Sequence, residues 1–326
     1  MPFDPTREIV DPHHHFFTGA PVHAWLASLG APEYAPESYA EALGSLPVRH
    51  TVHVEALPDD PLAEARQVDA WASAGRRGAD KVAAIVAACD LAAADAEAQL
   101  DALCSIARVR GIRYIVDWDG PFGEDNATHV ACSRHGLDYL RDSAVAARFE
   151  RGFALLASRR LSFDLQCCPA QLAAAAALFA RHPGVPVALC HLGKPRHLAA
   201  DGGARDEAKL AEWRAGMAAL AALPHVFVKL SMLGYAVPGW CNDAAKEAFL
   251  KALVLEVIAL FGARRCMFSS NYHVSAAGSD SDGASEHGLE PPALFERFAG
   301  WVGALPADEQ ARLFSGTAAE FYRIGA

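Results

Sequence analysis

The chain has 326 residues, 52% of them hydrophobic and 21% charged, enough to bury a large core. Its formal net charge of −10 argues against nucleic acid or an anionic membrane surface as a partner. There is no basic-then-apolar leader and no uncharged apolar run of the roughly 18 residues that span a membrane. The eight cysteines are scattered without a CxxC pair, which fits reduced thiols in a cytoplasmic protein.

The first β-rich run, residues 9–15, ends in Asp11-Pro12-His13-His14-His15. Strand alternation predicts Asp11, His13 and His15 on one face and His14 on the other. Residues 16–47, rich in Pro, Gly and Tyr, are too long for an ordinary connection and are expected to cap the mouth of the fold. Further strand-like runs follow at 50–56, 82–89, 109–117, 161–167, 185–192, 226–231 and 266–271. Between them lie Ala/Leu-rich stretches with helical spacing. In 244–261, for example, Phe249, Leu250, Leu253, Val257, Leu260 and Phe261 recur with that spacing before a Gly262 stop. A polar loop is expected at about 275–292. Eight strands alternating with helices predict parallel pairing and a single (β/α)8 TIM barrel over residues 1–326. The rival open sheet would need a glycine-rich phosphate loop after its first strand, and none is present.

Active sites of such barrels lie at the C-terminal ends of the strands. His53 and Glu55, Arg113 and Asp117, Asp164 and Gln166, His191, Lys229 and Ser231, and Ser269 and Asn271 all fall there, with His273 just beyond. On strand six the alternation puts Val187 and Leu189 on the same face as His191. Ionisable groups in a packed core cost several kcal/mol unless paired, so a polar mouth is a chemical set and not scatter.

The motifs Asp-x-His-x-His, Val-His-Val-Glu-Ala (52–56), Gly-Ile-Arg (111–113) and Leu-Ser-Phe-Asp-Leu (161–165) resemble the amidohydrolase-related family. More narrowly, they are similar to its branch of sugar-lactone and pyrone-dicarboxylate lactonases. His-Leu-Gly-Lys-Pro (191–195), Val-Lys-Leu-Ser (228–231), Ser-Ser-Asn-Tyr (269–272) and Leu-Phe-Ser-Gly-Thr-Ala (313–318) continue the resemblance in order. It implies that His13 and His15, completed by His191, polarise a scissile carbonyl or ligate one divalent metal, zinc first among them. It also implies that Arg113, Lys194 and Lys229 face an anionic substrate, with His53, Gln166 and Ser231 lining its site. The plainer alternative is that Arg113 and Lys229 pair with Asp117 and Asp164 inside the barrel.

Strand eight departs from the pattern. Relatives place an aspartate where this chain has Asn271, and a carboxamide has no useful basicity near neutral pH. His273 shares a face with Asn271 if the chain stays extended, and would then serve as the base. The resulting expectation is a hydrolase that opens a small carboxylate-bearing lactone, with no cofactor or one divalent ion. Its partners would be the small-molecule substrate and neither nucleic acid nor membrane; a homo-oligomer is left open. The alternatives are a metal-dependent decarboxylase of the same superfamily and a non-catalytic barrel that binds small carboxylates.

Overall fold

The structure, a computed structural model, describes residues 7–31, 33–122, 128–272 and 289–325. Eight strands form one sheet in sequential order, each parallel to the next. They are β1 (Ile9–His14), β2 (Val48–Val54), β3 (Val82–Ala88), β4 (Val109–Ile115), β5 (Ser162–Gln166), β6 (Val187–Leu189), β7 (Val226–Leu230) and β8 (Cys266–Phe268). The ends meet where Asn271 N–H donates to His13 O (2.8 Å) and His15 N–H to Tyr272 O (3.1 Å). The result is a nearly closed (β/α)8 barrel.

Among the described residues twelve α-helices surround it: α1 (Ala24–Ser28), α2 (Pro36–Leu43), α3 (Pro61–Ser73), α4 (Ala96–Cys104), α5 (Ser143–Ser158), α6 (Leu172–Arg181), α7 (Ala204–Ala221), α8 (Leu233–Ala236), α9 (Ala244–Phe261), α10 (Pro291–Val302), α11 (Ala307–Ala311) and α12 (Thr317–Tyr322). Their starts follow local chemistry. Asp60 accepts from Ala63 N–H ahead of Pro61, and Asp243 accepts from Ala245 and Lys246 N–H. In α9 the buried face is Leu250, Leu253, Val254, Val257, Ile258 and Phe261, while Leu260 is exposed.

Two apolar layers result. The outer one packs helices on the barrel, with Phe149, Phe153, Phe163 and Phe179 in mutual ring contact. The inner one fills the barrel with Val10, Val52, Val54, Ala84, Val86, Ala188 and Met267. Phe321 and Tyr322 of α12 plug this inner layer, each large side chain contributing about 1.5–3 kcal/mol by burial. Among the described residues no helix is long and apolar enough to cross a membrane.

The 16–47 segment carries α1 and α2, packs Phe16 and Tyr39 against His14 on the outer side of β1, and through Trp25 packs with Ile115 and Ala131 beside the strand ends. One expectation needs correction: strand alternation fails in β1. Asp11 pairs with Thr51 and His14 with His53, so β1 holds one extra residue around Pro12, which has no N–H for the ladder. Val10 and His13 therefore point inward. Asp11 turns to Tyr39 (2.5 Å) and to Ser270, whose hydroxyl donates to it at 2.5 Å.

Candidate active site

Left-handed backbone follows β6, β7 and β8 at the barrel mouth, as it does β2 at Leu57 (φ 56°). After β6, His191 (φ 58°), Leu192 (φ 57°), Gly193 (φ 69°) and Lys194 (φ 54°) follow one another; Met232 (φ 55°) follows β7 and Asn271 (φ 52°) follows β8. Such conformations cost about 1–3 kcal/mol each in non-glycine residues and concentrate where a side chain must be aimed. Gly193 cannot be replaced easily: a Cβ would meet Met217 Sδ at 2.6 Å and Trp213 Nε1 at 3.1 Å. This turn brings His191 into the barrel, not strand alternation. Val187 and Leu189 pack outward, and the inward residues of β6 are Ala188 and Cys190.

A polar column rises from floor to mouth. The Tyr322 hydroxyl donates to Asp164 (2.8 Å), and Lys229 Nζ donates to Asp164 Oδ2 (2.5 Å) and to Pro12 O (2.8 Å). Lys229 Nζ also stands 3.3 Å from His13 Nδ1. An ammonium has only donors, so His13 Nδ1 accepts and the neutral ring carries its proton on Nε2. Burial, and then the Lys229 charge, holds the His13 pKa well below its ordinary value.

His13 Nε2 lies 3.4 Å from Arg113 Nη1. Arg113 is fixed by Glu55, through Nε to Oε1 and Nη2 to the backbone oxygen (both 2.5 Å), and by Gln166 Oε1 (3.4 Å). Burial raises the Glu55 carboxyl against the pull of Arg113. Two N–H groups thus face one another with no acceptor between them.

The flanking rings are oriented as firmly. The His15 ring centroid is 4.9 Å from that of His13, and His191 is 4.8 Å from it on another side. His15 Nδ1 meets Val54 O (2.8 Å) and Nε2 lies 3.3 Å from Asn271 Oδ1; both neighbours are acceptors, and a neutral ring that donates to the nearer one, Val54 O, keeps its lone pair on Nε2. His191 Nδ1 meets Ser231 Oγ (3.0 Å), and burial with Arg113 nearby keeps that ring neutral. Lys194 pairs with Asp117 Oδ2, which also accepts from Gln166 Nε2 (3.1 Å).

The structure therefore gathers His13, His15, His191, Arg113, Gln166, Lys194, Lys229, Ser231 and Asn271 at the mouth. His53 is elsewhere: it packs outward against Phe16, 3.5 Å from Glu64 of α3, because Val52 and Val54 take the inner face of β2. His273 and most of the 275–292 loop lie outside the described residues; Pro291 already belongs to α10. Each of the three cations has its own carboxylate: Glu55 for Arg113, Asp117 for Lys194 and Asp164 for Lys229. The local reason for positive charge is thus intramolecular, and the partner of Arg113 is Glu55.

Sequence reasoning missed Cys190, Tyr322 and His129. Counting the β6 face from Ala188 would have found Cys190. Nothing local foretells that Tyr322 enters the barrel from below, and His129 sits in the β4–α5 loop, which has no periodicity. Desolvation and the nearby Lys194 and Arg113 charges hold the His129 ring well below its ordinary pKa. A cavity of about 300 Å³ opens beside Glu55, between Leu57, Tyr114, Arg134 and His135.

Among the described residues, donor atoms of His13, Cys190 and His191 come within 4.8 Å of one another, without His15. This set does not suit a divalent ion. His13 turns one nitrogen to an ammonium and the other to a guanidinium, where a metal-bound imidazole needs an acceptor behind it.

A family model described as amidohydrolase matches residues 10–324. The chain belongs to this amidohydrolase family. An L-fucono-1,5-lactonase of Burkholderia multivorans is 29% identical over 97% of this chain and 96% of its own length. An L-fucono-1,5-lactonase of Burkholderia ambifaria is 30% identical over 97% and 95%. Among solved structures, an amidohydrolase from Burkholderia multivorans with bound HEPES superposes with a TM-score of 0.71 at 25% identity, covering 97% of this chain and 99% of that one. Another crystal form of that amidohydrolase, with bound zinc, gives 0.69 at 24% identity, a likeness of fold.

Proposed function

We propose that this amidohydrolase opens the ring ester of an uncharged, hydroxylated lactone by attack of water, with no metal taking part. The observation that carries the reading is that His13 Nε2 and Arg113 Nη1 stand 3.4 Å apart and oppose two N–H groups once Lys229 fixes the His13 tautomer. A carbonyl oxygen placed between them resolves that conflict. As water adds, the oxygen gains negative charge and both hydrogen bonds strengthen, so the site favours the transition state over the substrate. The column Tyr322–Asp164–Lys229 keeps the His13 proton on Nε2 throughout.

In this reading His15, with its lone pair on Nε2, takes the proton of the attacking water. Asn271 cannot serve as a base, but its Oδ1, 3.3 Å away, accepts from that nitrogen once it is protonated. The ring oxygen leaves as the C–O bond breaks and gains a proton, giving a hydroxy acid. Pairing of all three cations favours an uncharged substrate over a carboxylate-bearing one, and the curated fuconolactonase relatives point the same way.

A pH-indicator assay over a panel of hydroxylated and carboxylated lactones, with and without chelator, tests this. Turnover of the uncharged members that survives chelation is expected. Activity abolished by chelator and restored by zinc would overturn the metal-free mechanism. No turnover of any lactone would leave decarboxylation or plain binding in its place.

A further inference from the structure

Asp117 and Lys194 are 0% and 1% exposed, yet their hydrogen-bonding capacity is only half used. Asp117 Oδ1 has no partner. Among the described residues the Lys194 ammonium meets only Asp117 Oδ2 and the face of Tyr235, 5.9 Å to the ring centroid. Two of its three N–H groups therefore lack an acceptor. Buried polar atoms are normally satisfied, so an unpaired carboxylate oxygen beside an under-used ammonium asks what else binds there.

The place is informative. Gln166 donates to Asp117 Oδ2 (3.1 Å) and approaches Arg113 Nη1 through its oxygen (3.4 Å). One amide side chain thus separates this pair from the N–H groups proposed to hold the carbonyl. An anionic group would meet the unpaired carboxylate oxygen, and a cationic one the ammonium, so both are disfavoured. A hydroxyl is donor and acceptor at once, and two neighbouring hydroxyls match an acceptor beside a donor.

We propose that Asp117 and Lys194 form a hydroxyl-recognition subsite, with Oδ1 accepting from one ring hydroxyl and Nζ donating to its neighbour, that selects lactones bearing two neighbouring hydroxyls. The inference rests on the lactonase reading for the carbonyl site but names the substrate class independently of turnover.

The test uses two non-hydrolysable probes, a trihydroxylated six-membered lactam and unsubstituted δ-valerolactam, titrated calorimetrically into wild type, Asp117→Asn and Lys194→Gln. Wild type should bind the hydroxylated lactam at least about tenfold more tightly, since the unsubstituted ring leaves buried charged groups unpaired. Both variants should collapse that preference towards unity. In turnover, the ratio of kcat/KM between hydroxylated and unsubstituted lactones should fall by about 10- to 100-fold in Asp117→Asn. Equal affinity of wild type for the two lactams, or a preference unchanged in both variants, overturns the subsite. Should a variant fail to fold, the wild-type comparison still decides. If lactams are discriminated but no lactone is hydrolysed, the lactonase reading falls and the subsite stands.

Discussion

His13 sits between a lysine that dictates its tautomer and an arginine that shares its target, and this makes individual side chains testable. Arg113→Gln removes one of two N–H groups from the developing oxyanion. Losing one such donor typically costs about 10²–10³ in kcat. We expect that fall in steady-state kinetics with a much smaller change in KM; a rise in KM alone would assign Arg113 to ground-state binding. Lys229→Met tests the other side. It strands Asp164 in the core with only Tyr322, and breaking a buried ion pair in this way costs about 3–5 kcal/mol. Denaturant unfolding should show that loss, whereas a loss below about 1 kcal/mol would mean that the pair is not the buried strut described.

Elements decide where those side chains point, and there the sequence is legible only where strands are regular. Alternation along β4, β5 and β7 placed Arg113, Asp164, Gln166, Lys229 and Ser231 at the mouth, because an uninterrupted strand has period 2. It failed at three interruptions. Pro12 forces an extra residue into β1 and turns Asp11 away. The left-handed run after β6 delivers His191 from a strand whose regular inward face is Ala188 and Cys190. On β2, His53 is polar yet outward, because Glu64 on α3 gives it an ionic neighbour there. The family resemblance pointed to His191, which the left-handed turn brings beside His13, where periodicity gave the wrong route. The pairings themselves, Glu55 with Arg113 and Tyr322 with Asp164, span 58 and 158 residues and leave no local signal. The second of these hangs on α12. Tyr322→Phe keeps the plug but removes the hydroxyl from Asp164, so about 1–2 kcal/mol of stability should be lost. A several-fold lower kcat should accompany it as Lys229 loosens behind His13. Unchanged kinetics in a stably folded Tyr322→Phe would show that the column does not reach the site.

Considered as one body, the protein buries several imidazoles that it keeps neutral, and that fixes how it responds to acid. His13, His14 and His191 all have folded-state pKa values well below 6.5, with burial the first cause in each. A depressed histidine contributes nothing to the pH dependence above 6.5. Below it the unfolded chain binds protons that the folded one refuses, so stability falls as pH falls. Each ring then removes about 1.4 kcal/mol per pH unit. Asp11 and Glu55, raised by the same burial, act in the opposite direction, because the folded state holds their protons more tightly. His129 is lowered in the same way, so the rings outnumber the two carboxyls and leave a net loss. Glu64 adds to it only later: with its pKa lowered to about 2 through bonds to His23 and His53, its contribution is complete above about 4.5 and disappears between there and 2. Urea unfolding at pH 7.5, 6.5 and 5.5 should therefore show little change over the first step and a clear drop over the second. His14→Gln, on the outer side of the barrel and away from the mouth, should flatten that second step by about 1 kcal/mol, because the unfolded ring is already half protonated at pH 6.5. A stability curve level from pH 7.5 to 5.5 would mean that the buried rings protonate as easily in the folded protein as in water, and the neutral His13 on which the carbonyl site depends would go with it.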